Sequence, residues 1–279
     1  MIYIGATGYF YQDWISEFYT DKIKPKDWLF FYSRNFNAIE LSETPIQKLT
    51  RNYLYSIAAE TEYKLKICVQ LPYDITHKNI NHSNINTNIA EAQKLAREWE
   101  NLYFQSWLGR ILFDFPFSFK FTAENFSKVK VLISFFMEYK KTIEFQHSSW
   151  LNTEVTDFLS KSSITFCLRD IPKFENQIGI SDFLLTSDTP YFKMYGRNPD
   201  HWWNPALPED KTEYLYNSRE LTLITTWIKK NIINRSKDSF IILGNIKNAN
   251  AVKNGLEMRK RFKVQPAIVS DQLELPFVF

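Results

Sequence analysis

Glycine and cysteine are both scarce in this chain of 279 residues, and each shortage argues against a class of protein. The two cysteines, Cys68 and Cys167, show no zinc-ligand spacing and lie in apolar, strand-like runs, so we predict buried thiols. The seven glycines include no G-x-G-x-x-G motif after the first apolar run, which reads Gly5-Ala6-Thr7-Gly8-Tyr9. A dinucleotide-binding fold is therefore the weaker option.

Long apolar runs and a strong net charge are also missing. No run approaches the ~20 residues that a membrane span needs, and the N-terminus lacks a basic segment followed by an apolar stretch. We therefore expect no signal peptide, no membrane partner and a cytoplasmic protein. The net charge of +3 is too small to indicate nucleic acid by itself.

Large apolar and aromatic side chains are abundant. Hydrophobic residues make up 44% of the chain, and the aromatic residues include 24 Phe and 15 Tyr. A large core is therefore possible, with rings filling much of it and lining any pocket. The length suits one (β/α)8 barrel, which typically has about 250 residues, and we predict a single domain over residues 1–279.

Strand-like and helix-like segments alternate along the whole chain. We predict strands near Ile2–Gly5, Ala38–Leu41, Leu65–Leu71, Arg110–Phe115, Thr142–Phe145, Ile164–Leu168, Tyr191–Tyr195 and Phe240–Leu243. Helical patterns cover Lys26–Asn35, Ile46–Glu60, Asn88–Leu102, Ala123–Tyr139, Thr153–Lys161, Arg219–Ile233 and Ala249–Phe262. Nearly continuous apolar strands indicate a parallel sheet, and eight units favour a closed α/β TIM barrel over an open sheet.

Polar side chains at the strand ends predict the site, because these ends meet at one mouth of a barrel. The candidate catalytic residues are Glu40, His77, Glu144, His147 and Asp170. The candidate substrate-binding residues are Tyr11, Trp14, Gln70, Asp114, Gln146, Lys193, Tyr195, Arg197 and Asn245. Arg169 and Asp170 are expected to follow the sixth strand.

Two chemistries are compatible with these side chains. The six acids and histidines, Glu40, His77, Asp114, Glu144, His147 and Asp170, could bind divalent metal that activates water or polarises a carbonyl. Alternatively, Glu40 and Glu144 could act as a general acid/base pair without metal. The sequence gives no distance between the carboxylates, so both hypotheses stay open.

Two further features concern binding at the mouth. Lys193 and Arg197 could hold a phosphate or carboxylate after the seventh strand, or Arg197 could form a salt bridge with a mouth carboxylate. The pair Trp202-Trp203 could stack on a sugar or base, but we favour a hydrophobic lid over the barrel.

Residues Glu100–Ser106 read Glu-Asn-Leu-Tyr-Phe-Gln-Ser, the recognition sequence of a protease used to remove expression tags. We draw no function from this stretch.

The chain resembles the YecE-like family, domain-of-unknown-function family 72, along nearly its full length. The matching segments are Ile4–Tyr9 with Tyr11, Trp14, Phe18 and Tyr19, then Phe36–Glu40, Thr76-His77, Leu112–Pro116 with Ser118-Phe119, Glu144–His147 with Ser149-Trp150, Gly196-Arg197, Tyr214–Tyr216 with Glu220-Leu221, and Asn245 with Ala251 and Asn254. The chain departs from the family pattern at Gln70, Asp114, Gln146, Lys193, Tyr195 and Gly244.

The resemblance implies a TIM barrel similar to endonuclease-IV-like and sugar-isomerase-like barrels, which use metals at the same mouth. Three functions follow as hypotheses. The first is a metal-assisted hydrolase or isomerase for a phosphorylated or sugar-like substrate. The second is a non-catalytic barrel that binds a small molecule or anion, as the departures at the mouth would allow. The third is a nucleic-acid-processing enzyme, which the mild charge does not favour.

Overall fold

The predicted (β/α)8 barrel is confirmed by a computed structural model, which describes residues 1–82, 85–182 and 184–268. The strands are β1 (Ile2–Ala6), β2 (Ala38–Leu41), β3 (Lys66–Gln70), β4 (Leu108–Phe115), β5 (Lys141–Phe145), β6 (Thr165–Asp170), β7 (Tyr191–Met194) and β8 (Ser239–Leu243). All paired strands are parallel, in the order β1-β8-β7-β6-β5-β4-β3-β2. The expected domain, 1–279, includes residues 83–84, 183 and 269–279, which lie outside the described residues.

Helices lie between the strands, as predicted, except between β6 and β7, where a helix was predicted to be weak and the described residues form only the 3-10 turn Ile180–Asp182. They are α1 (Trp28–Ser33), α2 (Arg51–Glu60), α3 (Tyr73–Thr76), α4 (Asn86–Glu98), α5 (Ala123–Ser134), α6 (Thr153–Lys161), α7 (Ser218–Asn231) and α8 (Asn250–Phe262). The start of α7 illustrates how capping side chains set a helix boundary. Asn217 caps the backbone N–H of Glu220, whose carboxylate accepts from the N–H of Asn217, so the first turn begins with its donors satisfied. Among the described helices, we find none that combines the length and apolar character needed to cross a membrane.

The joint between β1 and β2 closes the ring with very little backbone pairing. A single parallel bridge links Thr7 to Glu40, and the N–H of Gly8 donates to the carbonyl of Glu40 at 2.7 Å. Gly8 has a φ of 82°, a left-handed conformation that glycine adopts without strain.

Apart from one long backbone bond, from the N–H of Asn37 to the carbonyl of Ile4 at 3.4 Å, side chains supply the other hydrogen bonds of this joint. The Tyr32 hydroxyl accepts from the N–H of Ala6 at 2.7 Å and donates to the carbonyl of Ala38 at 2.9 Å. The Asn37 amide oxygen accepts from the N–H of Ile4, also at 2.7 Å. The joint is therefore a side-chain-mediated seam between two strands.

Gly5 lies at this seam, where there is no room for a larger side chain. A Cβ atom there would lie 1.9 Å from the carbonyl oxygen of Ala38, which is backbone and cannot turn away. We expect Gly5→Ala to lower the free energy of unfolding, measured in urea, by an amount at or above the upper end of the usual overpacking range of about 1–3 kcal/mol. Gly179→Ala is the matched control, because its nearest neighbour would lie at 3.9 Å. Equal stability of the two variants would contradict this account.

Inward-facing positions of the strands alternate with positions that face the helices, as in any barrel. Cys68, Cys167 and Tyr191 belong to a small buried cluster separate from the larger core. Both cysteines are free and fully buried, which confirms the predicted thiols. Two residues further along their strands, Arg169 and Lys193 face the same interior, nearer its C-terminal mouth.

Two predicted helices were too long at their C-termini. The segment Asn88–Leu102 is helical only to Glu98, and Asn101 follows in the left-handed region with a φ of 68°. The segment Ala123–Tyr139 ends as a helix at Ser134 and continues in tight turns. There the ammonium group of Lys141 binds the carbonyls of Phe136, Met137 and Tyr139. The apolar spacing persists through both ends, so the pattern could not mark them.

The Glu100–Ser106 segment forms a 3-10 turn over Leu102–Phe104, with Leu102 fully buried. Proteases bind extended backbone, so we expect the native protein to resist the tag-removing protease at Gln105-Ser106. Cleavage should begin only in urea that opens this segment, because susceptibility then follows the open population. Mass spectrometry of the fragments checks this, with a synthetic Glu100–Ser106 peptide as the control. Native protein cut as fast as the peptide would contradict the expectation.

Candidate functional site

A cavity of about 960 Å³ opens at the C-terminal mouth of the barrel. Seven of the predicted site residues line it: Tyr11, Gln70, His77, Asp114, Gln146, Lys193 and Tyr195. They come from β3, β4 and β7 and from the loops that follow β1, β3, β5 and β7. The barrel thus brings together residues that lie far apart in the sequence.

A buried ionic cluster lies beneath this cavity. The Lys193 ammonium group is 2.8 Å from Glu40 Oε1 and 3.4 Å from Glu144 Oε2. The Tyr191 hydroxyl donates to Glu40 at 2.6 Å, and the Tyr195 hydroxyl donates to Glu144 at 2.8 Å. Both carboxylates are fully buried, so they could remain ionised only with such partners.

Arg169 completes the cluster on the side of Glu144. Its Nε atom lies 2.8 Å from Glu144 Oε1, but the N–H is not aligned for a hydrogen bond, so we describe the contact as an ion pair. Burial alone would raise the pKa of Glu144, but Lys193 and Arg169 outweigh it and lower that pKa. Burial would likewise lower the pKa of Lys193, yet Glu144 and Glu40 raise it well above its usual value. The cluster therefore holds a fixed cation between two fixed anions.

Asp114 lies on the cavity wall and has a different environment. The amides of Gln70 and Gln146 each donate to one of its oxygens at 3.2 Å, and His77 Nε2 is 3.9 Å from Oδ2. Burial and the neighbouring carboxylate of Glu144 raise the pKa of Asp114. Asp114 is thus oriented by two amides, faces the cavity and holds its proton more readily than an exposed aspartate.

The Asp170 carboxylate forms an ion pair outside the Lys193 cluster. It lies at the end of β6 and pairs with Arg197, whose Nε is 3.0 Å from both oxygens. Burial raises the pKa of Asp170, and Arg197 opposes this. Arg197 also approaches Glu220 at 3.5 Å. The structure therefore supports the salt-bridge interpretation of Arg197 rather than the predicted phosphate contact.

Three other predicted site residues lie away from the cavity wall. Trp14 is buried and donates from its indole to the carbonyl of Ile246 at 2.9 Å. The Asn245 amide donates to Asn254 Oδ1, also at 2.9 Å. His147 caps the 3-10 turn Ser148–Trp150, where its Nδ1 accepts from the backbone of Ser149. Each of these side chains has a local hydrogen bond, and none of the three is among the residues that line the cavity.

Sequence reasoning missed Arg169 and Lys211, which both line the cavity. Arg169 was expected after β6 but belongs to the strand itself. A cation inside a buried strand requires a counter-charge within the barrel, and that signal could have identified it. Trp202 also lines the cavity and is buried, while Trp203 is 48% exposed, so the first tryptophan of the pair covers the mouth.

The donor set does not fit the hypothesis of a bound divalent metal. Among the described residues, no group of three or more His, Cys, Asp or Glu side chains is arranged to hold an ion. The Lys193 ammonium group already occupies the space between Glu40 and Glu144 where a cation would bind. We therefore derive no step through a metal.

The hypothesis of an acid/base pair made of Glu40 and Glu144 does not fit either, because both carboxylates serve as counter-ions of Lys193. The rim carries three further carboxylates, Asp13, Glu43 and Asp74. Cations line the same cavity, so the lining has charges of both signs and lacks the continuous basic surface that binds a nucleic-acid backbone.

The fold and the site define the class as a TIM barrel with a polar, aromatic-lined cavity over a buried ionic cluster. The family described as "Protein of unknown function DUF72" matches residues 3–276, so the chain belongs to the DUF72 family, as the resemblance to the YecE-like pattern predicted.

Solved structures of the family share the fold. A DUF72 family protein from Thermotoga maritima is 25% identical, with a TM-score of 0.82 over 95% of this chain and 100% of that chain. One from Enterococcus faecalis is 18% identical, with a TM-score of 0.75 over 95% and 96% of the two chains. A comparison with curated proteins finds no match.

Proposed function

We propose that the chain works as one domain over residues 1–279, and that its cavity binds a sugar-like, polyhydroxylated molecule and catalyses proton transfer on it. The cavity volume of about 960 Å³ is suited to such a ligand. Rings of Tyr11, Tyr195 and Trp202 line it, and so do Gln70 and Gln146, whose amide oxygens can accept from hydroxyl groups. The reaction class is that of an isomerase that needs no metal.

The placement of Asp114 carries the proposal. A carboxylate with a raised pKa, oriented by two amides and facing a cavity, is suited to general acid–base catalysis. As a base it takes the proton from a carbon next to a carbonyl. The electron pair of that C–H bond forms a C=C bond, and the carbonyl π pair moves onto oxygen. The proton is then returned to the neighbouring carbon.

The other side chains at the cavity floor support this step. The negative charge that develops on oxygen is stabilised by the ammonium group of Lys193, whose raised pKa keeps it protonated. His77, 3.9 Å from Asp114, relays a proton between the two substrate oxygens. The ionic cluster around Lys193 holds this positive charge in a fixed place before the substrate arrives.

Deuterium exchange tests the proposed reaction. The protein is incubated in D2O with a panel of aldoses, ketoses, their phosphates and sugar acids, and 1H NMR follows the signal of the proton next to the carbonyl. We expect exchange into at least one compound above the rate without protein. Calorimetric binding of panel members with no exchange in any of them would contradict catalysis and favour the non-catalytic binding barrel.

A further inference from the structure

Lys211 is a cavity-lining cation whose charge has no carboxylate partner in the ion pairs of the described chain. It lies on the 3-10 helix Pro208–Thr212, in the loop between β7 and α7, and its ammonium group is 4.5 Å from the centroid of the Trp202 ring. Lys247 is a contrasting case on the same cavity, since it pairs with Asp210 and with Glu213. The aromatic face holds Lys211 in place without neutralising it.

Arg169 and Trp202 extend this feature into one wall of the cavity. The guanidinium carbon of Arg169 is 5.6 Å from the ring centroid of Tyr195, and the Tyr195 and Trp202 rings are 6.3 Å apart. Arg169 Nη1 makes only a long hydrogen bond, 3.4 Å from the carbonyl of Ile178. Trp202 is 2% exposed, and its indole N–H has no partner among the described residues. This wall therefore has N–H donors that its protein contacts do not use, together with the unpaired ammonium group of Lys211.

The ion pairs of the site also indicate that Lys211 lacks a counter-ion. Lys193 and Arg169 pair with Glu40 and Glu144, and Lys247 has its own carboxylate partners, so Lys211 is the cavity-lining cation without an ion pair among the described residues. Burial lowers the pKa of Lys211 and Arg169 lowers it further, while the carboxylates of Asp114, Glu144 and Glu43 oppose this without reversing it. A bound anion between Lys211 and Arg169 would remove the repulsion between these two cations.

We propose that Lys211, Arg169 and Trp202 form a subsite for an oxyanion, the phosphate or carboxylate of the ligand. The proposal rests on the proposed function for the rest of the ligand, which occupies the cavity near Asp114. It places the anionic group on the wall formed by β6 and the loop after β7. A planar guanidinium and a lysine ammonium group are the donors that proteins use for such groups. The substrate class thereby narrows to sugar phosphates or sugar acids.

Calorimetry with simple anions tests the subsite. Inorganic phosphate and sodium acetate are titrated separately into the full chain at constant ionic strength, with sodium chloride as the reference titrant. We expect one of them to bind the unmodified chain, and the tighter of the two identifies the source of the oxyanion. Lys211→Met keeps an apolar side chain against Trp202 but removes the charge, and should weaken this affinity about 10-fold or more. Lys211→Arg should restore most of it.

Lys78→Met is the matched control, because it removes the same charge from an exposed lysine that pairs with Asp74 and is not among the cavity-lining residues. It should leave the affinity unchanged. Thermal unfolding without anion verifies that each variant is folded. Absence of phosphate and acetate binding, or equal affinities of the Lys211→Met and Lys78→Met variants, would overturn the subsite.

These titrations need no turnover, so the subsite and the proposed reaction fail in different ways. Anion binding without deuterium exchange would retain the subsite and reject the reaction. Deuterium exchange into neutral sugars with no anion binding would retain the reaction and reject the subsite.

Discussion

Replacing Lys193 by methionine is expected to lower the free energy of unfolding by about 3–5 kcal/mol, since breaking a buried ion pair leaves an uncompensated charge in the interior. Here two carboxylates are affected, because Glu40 loses its only ion pair within the described chain and Glu144 keeps only Arg169. Urea unfolding of the two proteins measures the difference. Lys211→Met is the control, since it removes a cavity lysine that leaves no carboxylate unpaired.

The pH dependence of this effect has a defined sign. The pKa of Glu144 is lowered in the folded protein, so its ion pairs stabilise the fold above the unfolded pKa and are lost as pH falls through the folded pKa. Without Lys193, only Arg169 and the Tyr195 hydroxyl oppose the effect of burial, so we expect the pKa of Glu144 to rise and the carboxyl to gain a proton more readily in the fold. The difference in stability should therefore shrink as the pH falls from neutral toward the pKa of an unfolded glutamate.

A second variant, Glu40→Gln combined with Lys193→Met, separates charge from packing. Removing one of the orphaned carboxylates should recover part of the lost stability, whereas a packing defect would be additive. A Lys193→Met protein as stable as the parent, or a double variant less stable than the single one, would contradict the account of the ionic cluster.

Asp114→Asn is expected to slow deuterium exchange by about 10²–10⁴-fold, the usual contribution of a positioned acid or base. Asparagine has nearly the same shape and still lines the cavity, but it cannot take a proton. Binding of the substrate identified in the NMR assay should change much less than the rate, so the loss should appear in kcat rather than KM. The rate with the unmodified chain should also fall on acidification, as Asp114 becomes protonated.

Asp74→Asn is the matched control for this experiment. Asp74 also lines the cavity, but it lies on the rim and pairs with Lys78 at 3.3 Å. Its replacement should leave exchange close to that of the unmodified chain. If both variants lose exchange equally, or if neither does, Asp114 is not the base.

The strands were predictable because burial on both faces produces nearly continuous apolar runs. All eight predicted strands occur, and β2 has the predicted bounds, Ala38–Leu41. The ends of α4 and α5 were not predictable, because apolar spacing continues after the helix has stopped. Left-handed backbone at Asn101 and the carbonyls taken by Lys141 mark those ends, and neither has a strong sequence signal.

The positions of the candidate site residues could be predicted from the sequence, but which side chains pair with each other could not. Lys193 meets Glu40 across 153 positions of sequence, and only the closed ring fixes that distance. Once Lys193 stands between two carboxylates, a metal site at Glu40 and Glu144 no longer fits. Lys211 had no sequence signal, because its exposure to the cavity depends on how the loop after β7 folds over the mouth.

At the seam between β1 and β2, closure of the barrel depends on individual side chains. Elsewhere in the sheet any residue of strand character contributes its backbone to the pairing. At the seam, the phenol of Tyr32 and the carboxamide of Asn37 take the place of ladder bonds. Substitution of Tyr32 or Asn37 would therefore weaken the closure of the barrel into a ring. Substitution at most strand positions would affect only packing.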